Sequence, residues 1–515
     1  MSFDRSAGIL MPISSLPSPY GIGTLGKDAY DFIDFLVKAD QSYWQVLPIG
    51  PTSYGDSPYQ SFSSAAGNPY FIDPDMLVED DLLTKDDLKD LIVEDNKYVD
   101  YGRLYETRFE MLYKAYKKGI EKYKDEFNKY CDENQEWLDD YALFMAVKKH
   151  FGMKSWLEWD DQDIRLRKIE ALDKYKNMLY EDVEFYKFIQ FLFNVQYSKL
   201  RAYANKNNIK IIGDLPIYIA MDSCEIWADS DQFQLNESDK IPSDVAGVPP
   251  DYFSKTGQLW GNPLYNWEKM KENGYKWWID RIARVSKFFD VIRIDHFRGF
   301  EEYWSIPYGE KTAINGHWEK GPSSDFIDVI KNWFDDVKFI AEDLGIINEK
   351  VTELLKRSTF PGMRVLEFGM ADDGTSYHNP HNHIENCVCY ISTHDNTPIM
   401  GWIKNAKKED LEYAKLYYGL NEEEGYNFGF IRGGMSSVAN LFICQIQDYL
   451  GLGEEATINN PGTLGNWKWR VQKEQLNDTL ASKIAKLTYA FNRGRLENKK
   501  KVEEEDKKEE KLLEN

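Results

Sequence analysis

Basic residues are outnumbered by acidic ones in this chain and cysteines are few, and each imbalance narrows what it can do. Its 515 residues hold 63 Lys and Arg against 86 Asp and Glu, a formal net charge of −23. A surface of that sign repels phosphate backbones and anionic headgroups, so nucleic acid and membrane are not expected as partners. It suits a neutral or cationic ligand. Cysteine occurs five times, at 131, 224, 387, 389 and 444. That odd number at scattered spacing forms neither a disulfide framework nor a zinc pattern. Cys387 and Cys389 alternate along the apolar stretch NCVCYI and read as core thiols. No segment approaches about 18 uninterrupted apolar residues, the length of a membrane span. The stretch MSFDRSAGILMPISS has no basic region leading into a long apolar run, so no secretory leader is expected. A reducing, cytoplasmic setting is the simplest reading. There is also no phosphate-binding Gly-Lys loop, no GxGxxG after a strand and no HExxH.

What is plentiful is apolar and aromatic residues, 42% and 15% of the chain. That is a globular composition, and the length allows two to four domains or one large barrel with insertions. Most of the 15 Trp and 33 Tyr must serve the core, but flat rings also stack on the apolar faces of pyranose sugars. Eight short apolar runs end in polar or Gly/Pro-containing turns: 8–15, 43–50, 209–219, 289–296, 337–345, 363–370, 387–396 and 441–448. Helical stretches, such as 26–39, 181–207 and 277–289, lie between most of them. Continuous apolar strands alternating with helices are buried parallel strands. Eight such units predict an α/β fold, a closed (β/α)8 TIM barrel, over residues 1–497. The spacing predicts an inserted helical subdomain at about 78–160 and a second inserted loop subdomain at about 221–268. Both follow strand C-termini, the face where such barrels hold their sites. Residues 498–515 are mostly charged and read as a frayed or disordered tail.

Four of the runs carry a carboxyl group at the C-terminal end: Asp214 in IIGDLP, Asp295 in RIDHF, Glu342 in IAEDLG and Asp395 in STHDN. One acidic strand end is usually a helix cap or an ion pair. Four at equivalent places point into one cleft. Glycoside cleavage needs such a set: a carboxylate that attacks the anomeric carbon, and a carboxylic acid that protonates the leaving oxygen. In a retaining enzyme the two lie roughly 5–5.5 Å apart, and neighbouring strands are about 4.7–4.9 Å apart. Asp295 and Glu342, on consecutive strands, meet that separation. Arg293 lies two residues before Asp295, on the same side of a strand, and would keep it ionised. Glu342, among like charges in a partly dry cleft, would have a raised pKa and act as the acid. Asp395 would hold sugar hydroxyls. Four of the seven His fall within 378–394, but His378, His381 and His383 have no carboxylate or Cys at a recognised ligand spacing and read as structural or substrate-contacting.

The chain resembles the 4-α-glucanotransferases, or amylomaltases, relatives of the α-amylases, from about residue 6 to about 490. The resemblance rests on SLPSPYGIGTLG (15–26), YWQVLPIGPTSYGDSPYQSFSSAAGNPY (43–70), GDLPIYIAMDS (213–223), GVPPDYFSKTGQLWGNPLY (247–265), VIRIDHFRGFEEYW (291–304), AEDLG (341–345), PGMRVLEF (361–368), THDN (393–396) and NNPGTLGNWKWR (459–470). It implies a barrel without a C-terminal β-sandwich, and retaining transfer of an α-1,4-glucan segment between malto-oligosaccharides. No cofactor or metal is implied, and the protein would be a monomer or homodimer. Asp295 matches the family's nucleophile, Glu342 its acid/base and Asp395 its third carboxylate. Tyr59, Asp214, Arg293, His296, His394 and Asn466 match sugar contacts, while Trp260 and Asn262 lie in a loop that closes over the glucan. Packing alone remains an alternative for Tyr59 and Trp260, and ordering of the barrel floor for Asp214. The rival activities are an α-amylase-type hydrolase, which has the same carboxylates, and a non-catalytic glucan-binding protein.

Overall fold

The computed structural model describes residues 3–251, 254–370, 373–495 and 498. Twelve strands form among them: β1 (Ser6–Leu10), β2 (Tyr43–Gln45), β3 (Lys210–Leu215), β4 (Asp244–Val248), β5 (Gln258–Pro263), β6 (Val291–Ile294), β7 (Glu302–Pro307), β8 (His317–Lys320), β9 (Lys338–Ala341), β10 (Gly362–Val365), β11 (Cys387–Tyr390) and β12 (Leu441–Gln445). Eight close into a barrel in the order β1-β12-β11-β10-β9-β6-β3-β2, every pair parallel. Each of the eight apolar runs supplies one barrel strand. The strands are shorter than the runs, because Pro12, Pro48 and Pro216 fall just past β1, β2 and β3 and have no N–H for the ladder. Their residues are buried almost throughout, as a sheet covered on both faces requires.

The covering helices bury one stripe each. In Lys27–Lys38 the stripe is Ala29, Phe32, Ile33 and Leu36, at helical spacing. Lys276–Phe288 feeds β6, Ser323–Trp333 feeds β9 and Glu349–Ser358 feeds β10. Between β10 and β11 only two 3-10 turns form among the described residues. Between β2 and β3 lie the long helices Tyr101–Lys122, Lys124–His150 and Tyr180–Lys206. The buried Lys148 ties this part to the barrel, donating to Asp222 beyond β3 at 2.5 Å. The barrel is closed by β1 against β12, and the buried Arg493 bonds the carbonyls of Ser6, Ser437 and Ala439 there.

The stretch 221–268, read from sequence as a loop, contains β4 and β5. They join β7 and β8, from the connection after β6, in an antiparallel sheet of order β5-β4-β7-β8. Val245, Ile306 and Ala313 form a small core under it, apart from the main core. This sheet stands on the C-terminal face of the barrel. No helix among the described residues is long and apolar enough to cross a membrane. The charged tail, apart from Asn498, lies outside the described residues.

Candidate active site

Register places the acidic groups. Asp214 on β3 pairs with Arg293 on β6, and Ile294 pairs with Ala341 on β9. The next residues along, Asp295 and Glu342, therefore leave the barrel side by side. The ladder extends one step to fix them: Asp295 N–H donates to Leu215 O at 3.0 Å and Glu342 N–H to Ile294 O at 2.9 Å. Behind them the chain reverses at His296, whose φ of 53° is left-handed. That turn aims the His296 N–H at Glu342 Oε2, 2.7 Å away, while Leu344 N–H reaches Oε1 at 2.7 Å.

Arg293 is the hub. Its Nη1 lies 2.7 and 2.6 Å from the two Asp214 oxygens and 3.0 Å from Asp295 Oδ1. Burial works against the guanidinium charge, but Asp214 and Asp295 outweigh it and keep the group protonated. Asp295 feels opposite pressures. Burial first, with the carboxylates of Asp214, Glu342 and Asp395, pushes its pKa well above the usual carboxylate range, against the pull of Arg293. Its side chain keeps 27% of its surface exposed, which leaves water to support the charged form. Burial pushes Glu342 up to about 7, against the pull of Arg293 and the two backbone N–H groups. Asp295 and Glu342 titrate as an interacting pair. Arg293 sits directly on Asp295 and is the cation that favours its charged form.

A second chain of bonds crosses the cleft floor. Tyr59 Oη donates to Asp214 Oδ2 at 2.7 Å and meets His394 Nε2 at 2.6 Å. Burial holds the Tyr59 phenol well above its ordinary pKa and lowers that of His394, so the phenol is protonated and the imidazole neutral. A phenol that donates to Asp214 must accept from His394, which makes His394 the Nε2–H tautomer. The two rings stack at 5.5 Å and 9°. Asp395 lies 3.4 Å from His394 Nε2 and accepts from Asn459 Nδ2 at 2.6 Å. On the opposite wall Trp260, on β5, meets the His296 ring edge-on at 4.9 Å and 86°. Burial lowers His296 to about 3, so it too is neutral. Asn262, buried on the same strand, accepts from Gln60 at 3.3 Å.

The structure thus gathers Tyr59, Asp214, Arg293, Asp295, His296, Glu342, His394 and Asp395 at one mouth, with Trp260 and Asn262 on the sheet above. Asn466 stands further out. Its carboxamide bonds the backbone of Asn460 and Thr463, and it lines a cavity of about 420 Å³ shared with Asp395 and Asn459. The histidines at 378–383 are absorbed by structure: His378 Nδ1 accepts from Val365 N–H and His383 Nε2 meets His378 O. Among the described residues no group of three His, Cys, Asp or Glu is arranged to hold a metal ion. Sequence reasoning passed over Asn459, and Trp467, whose ring lies 5.7 Å from that of Tyr59. Both stand in NNPGTLGNWKWR beside the chosen Asn466, and nothing within one sequence ranks them.

A closed parallel barrel with its carboxyl groups, one guanidinium and neutral imidazoles gathered at the C-terminal mouth defines a barrel enzyme of the kind that works on glycosidic bonds. The particular family follows from comparison with known proteins. The sequence profile of the 4-alpha-glucanotransferases matches residues 11–477. A 4-alpha-glucanotransferase of Clostridium butyricum is 51% identical over 486 residues, 94% of this chain and 100% of that protein. One from Streptococcus pneumoniae is 45% identical over 494 residues, 95% of this chain and 97% of the relative. The solved amylomaltase of Streptococcus agalactiae, in complex with acarbose, superposes with a TM-score of 0.93 at 42% identity and covers 95% of this chain and 100% of its own. The chain belongs to the 4-alpha-glucanotransferase family and is an enzyme.

Proposed function

We propose that the protein transfers an α-1,4-glucan segment from a donor malto-oligosaccharide to the 4-hydroxyl of an acceptor glucose or glucan, with retention, through a covalent β-glycosyl-enzyme on Asp295. The observation that carries this reading is the pairing of the two carboxyls: Asp295 and Glu342 leave adjacent strands side by side, Asp295 against Arg293 at 3.0 Å and Glu342 pushed up to about 7, where it can serve as an acid near neutral pH. Glu342 protonates the glycosidic oxygen as Asp295 attacks C1, and the reducing-end fragment leaves with that proton. Glu342, now a carboxylate, takes the proton of the incoming 4-hydroxyl, whose oxygen displaces Asp295. Two inversions keep the α configuration, and one glycosidic bond replaces another. Asp395 holds sugar hydroxyls and opposes the positive charge that develops on the ring. Asp214, Arg293, His296, His394 and Tyr59 form the floor under the reacting sugar, and Trp260, Asn262 and Asn466 contact the glucan on either side.

Transfer needs water kept from the intermediate. The β5-β4-β7-β8 sheet, which brings Trp260 to His296, supports that role, as does the segment 247–265, of which residues 252 and 253 lie outside the described part. Neutral glucans suit the acidic surface, and five free cysteines favour a reducing cytoplasm.

The test is to trap the intermediate. Glu342→Gln incubated with α-maltotriosyl fluoride forms the ester, because fluoride leaves without an acid, but lacks the base to release it. Intact-protein mass spectrometry is expected to show one added maltotriosyl group on the peptide carrying Asp295. A label on another residue, or a product of inverted configuration, would overturn the mechanism.

A further inference from the structure

The segment that carries His394 and Asp395 leaves β11 after Tyr390, runs on through Ser392 and enters a helix at Ile399. One side chain grips both ends of it. Asp448, fully buried just past β12, accepts the Ser392 hydroxyl on Oδ2 at 2.9 Å and the Ile399 N–H on Oδ1 at 2.7 Å. Gln445, at the end of β12, adds Nε2 bonds to Ser392 Oγ at 2.7 Å and Thr393 O at 2.8 Å. Between the grips the segment is braced internally by Asn396 Oδ1, which accepts from Thr393 N–H and Oγ1. We propose that Asp448 is a positioning residue for the glucan-transfer site, acting through this clamp to aim Asp395 and His394 into the cleft. The proposal rests on the reading of Asp395 given above.

Geometry favours this over plain packing. A fully buried carboxylate is costly unless its oxygens are hydrogen-bonded, and an apolar side chain would fill the same space. Asp448 stands where its two oxygens meet the entry and the exit of one turn. Burial pushes it up to about 6, against the pull of Ile399 N–H and the Ser392 hydroxyl, so near neutral pH it is a carboxylate able to accept both. Asp448 in turn adds to the upward push that burial exerts on the buried Glu367.

Asp448→Asn keeps shape and one acceptor. Its amide faces Ser392 Oγ, whose hydroxyl loses the carboxylate it donates to; any bond that is left runs the other way, from amide to hydroxyl, so that end of the turn is loosened while Ile399 stays held. The test is a double-mutant cycle with Asp395→Asn, read in kcat and KM on maltotriose and in acarbose affinity by calorimetry. Asp448→Asn is expected to lower kcat about tenfold with KM within about twofold, the pattern of a contact made in the transition state. Acarbose affinity should fall about tenfold in the parent and less than about twofold beside Asp395→Asn, because coupled residues are not additive. Ser392→Ala frees the same end without touching the carboxylate. It should give the same cycle, and it carries the test if Asp448→Asn does not fold. Equal losses in both backgrounds, or an unchanged kcat, would overturn the proposal. An unchanged kcat for Asp395→Asn alone would instead overturn the reading of Asp395.

Discussion

Arg293 binds two carboxylates at once. Asp214 takes the guanidinium through both oxygens and Asp295 through one, while burial pushes Glu342 up to about 7 against the pull of the same arginine. Glu342→Gln is expected to lower kcat on maltotriose by about 10²–10⁴, the usual worth of a general acid. In the parent, kcat should fall as pH rises through about 7, where Glu342 loses its proton. The same shift bears on stability. The native pKa, about 7, lies above the ordinary 4.5, so between those values the folded state holds a proton that the unfolded chain has released. Stability is therefore lost as pH rises through that window, by roughly 3 kcal/mol in all. Thermal scans should show a smaller fall in Tm from pH 4 to pH 8 for Glu342→Gln than for the parent. Tyr59→Phe removes the hydroxyl between Asp214 and His394 and frees the His394 N–H. Steady-state kinetics should show kcat/KM lower by about tenfold, the cost of an unmet buried bond. At this scale the sequence was informative, because a charged residue at the end of an apolar strand is conspicuous. The bonds of Asn459 and Asp448 were not legible: each is made across the fold, and polar residues in loops are too common to single out.

Elements place these residues, and their junctions tolerate little change. Gly362 opens β10 where a Cβ would collide with the Asp343 carboxylate. Asp343 uses that approach to accept from Met363 N–H at 2.6 Å and to pair with Arg364 at 3.0 Å. It stands next to Glu342, so the junction of β9 with β10 steadies that side chain. Gly362→Ala should therefore lower Tm, by the equivalent of about 1–3 kcal/mol for overpacking, and reduce kcat with it. The eight barrel strands were legible as apolar runs because they are buried on both faces. The four-stranded sheet was not. The β8 residues His317–Lys320 are all exposed, and β5 has exposed and half-buried positions, so neither shows a continuous apolar run. Pairing between connections distant in sequence creates that sheet, and periodicity within one segment does not register it.

The whole molecule joins a strongly acidic surface to a cleft that carries one buried arginine among carboxylates. A neutral glucan feels little of that long-range field. KM for maltotriose should change by less than about twofold between ionic strengths on the order of 0.01 M and 1 M, where screening alters greatly. A steep salt dependence would point to a charged substrate. The central claim is that the covalent glucan passes to a sugar hydroxyl rather than to water. The most direct measurement is incubation of the purified protein with maltotriose alone, with products separated by chromatography and reducing ends counted over time. The account predicts glucose together with a ladder of longer chains and no net gain in reducing ends. Glucose and maltose alone, with reducing ends rising, would contradict it.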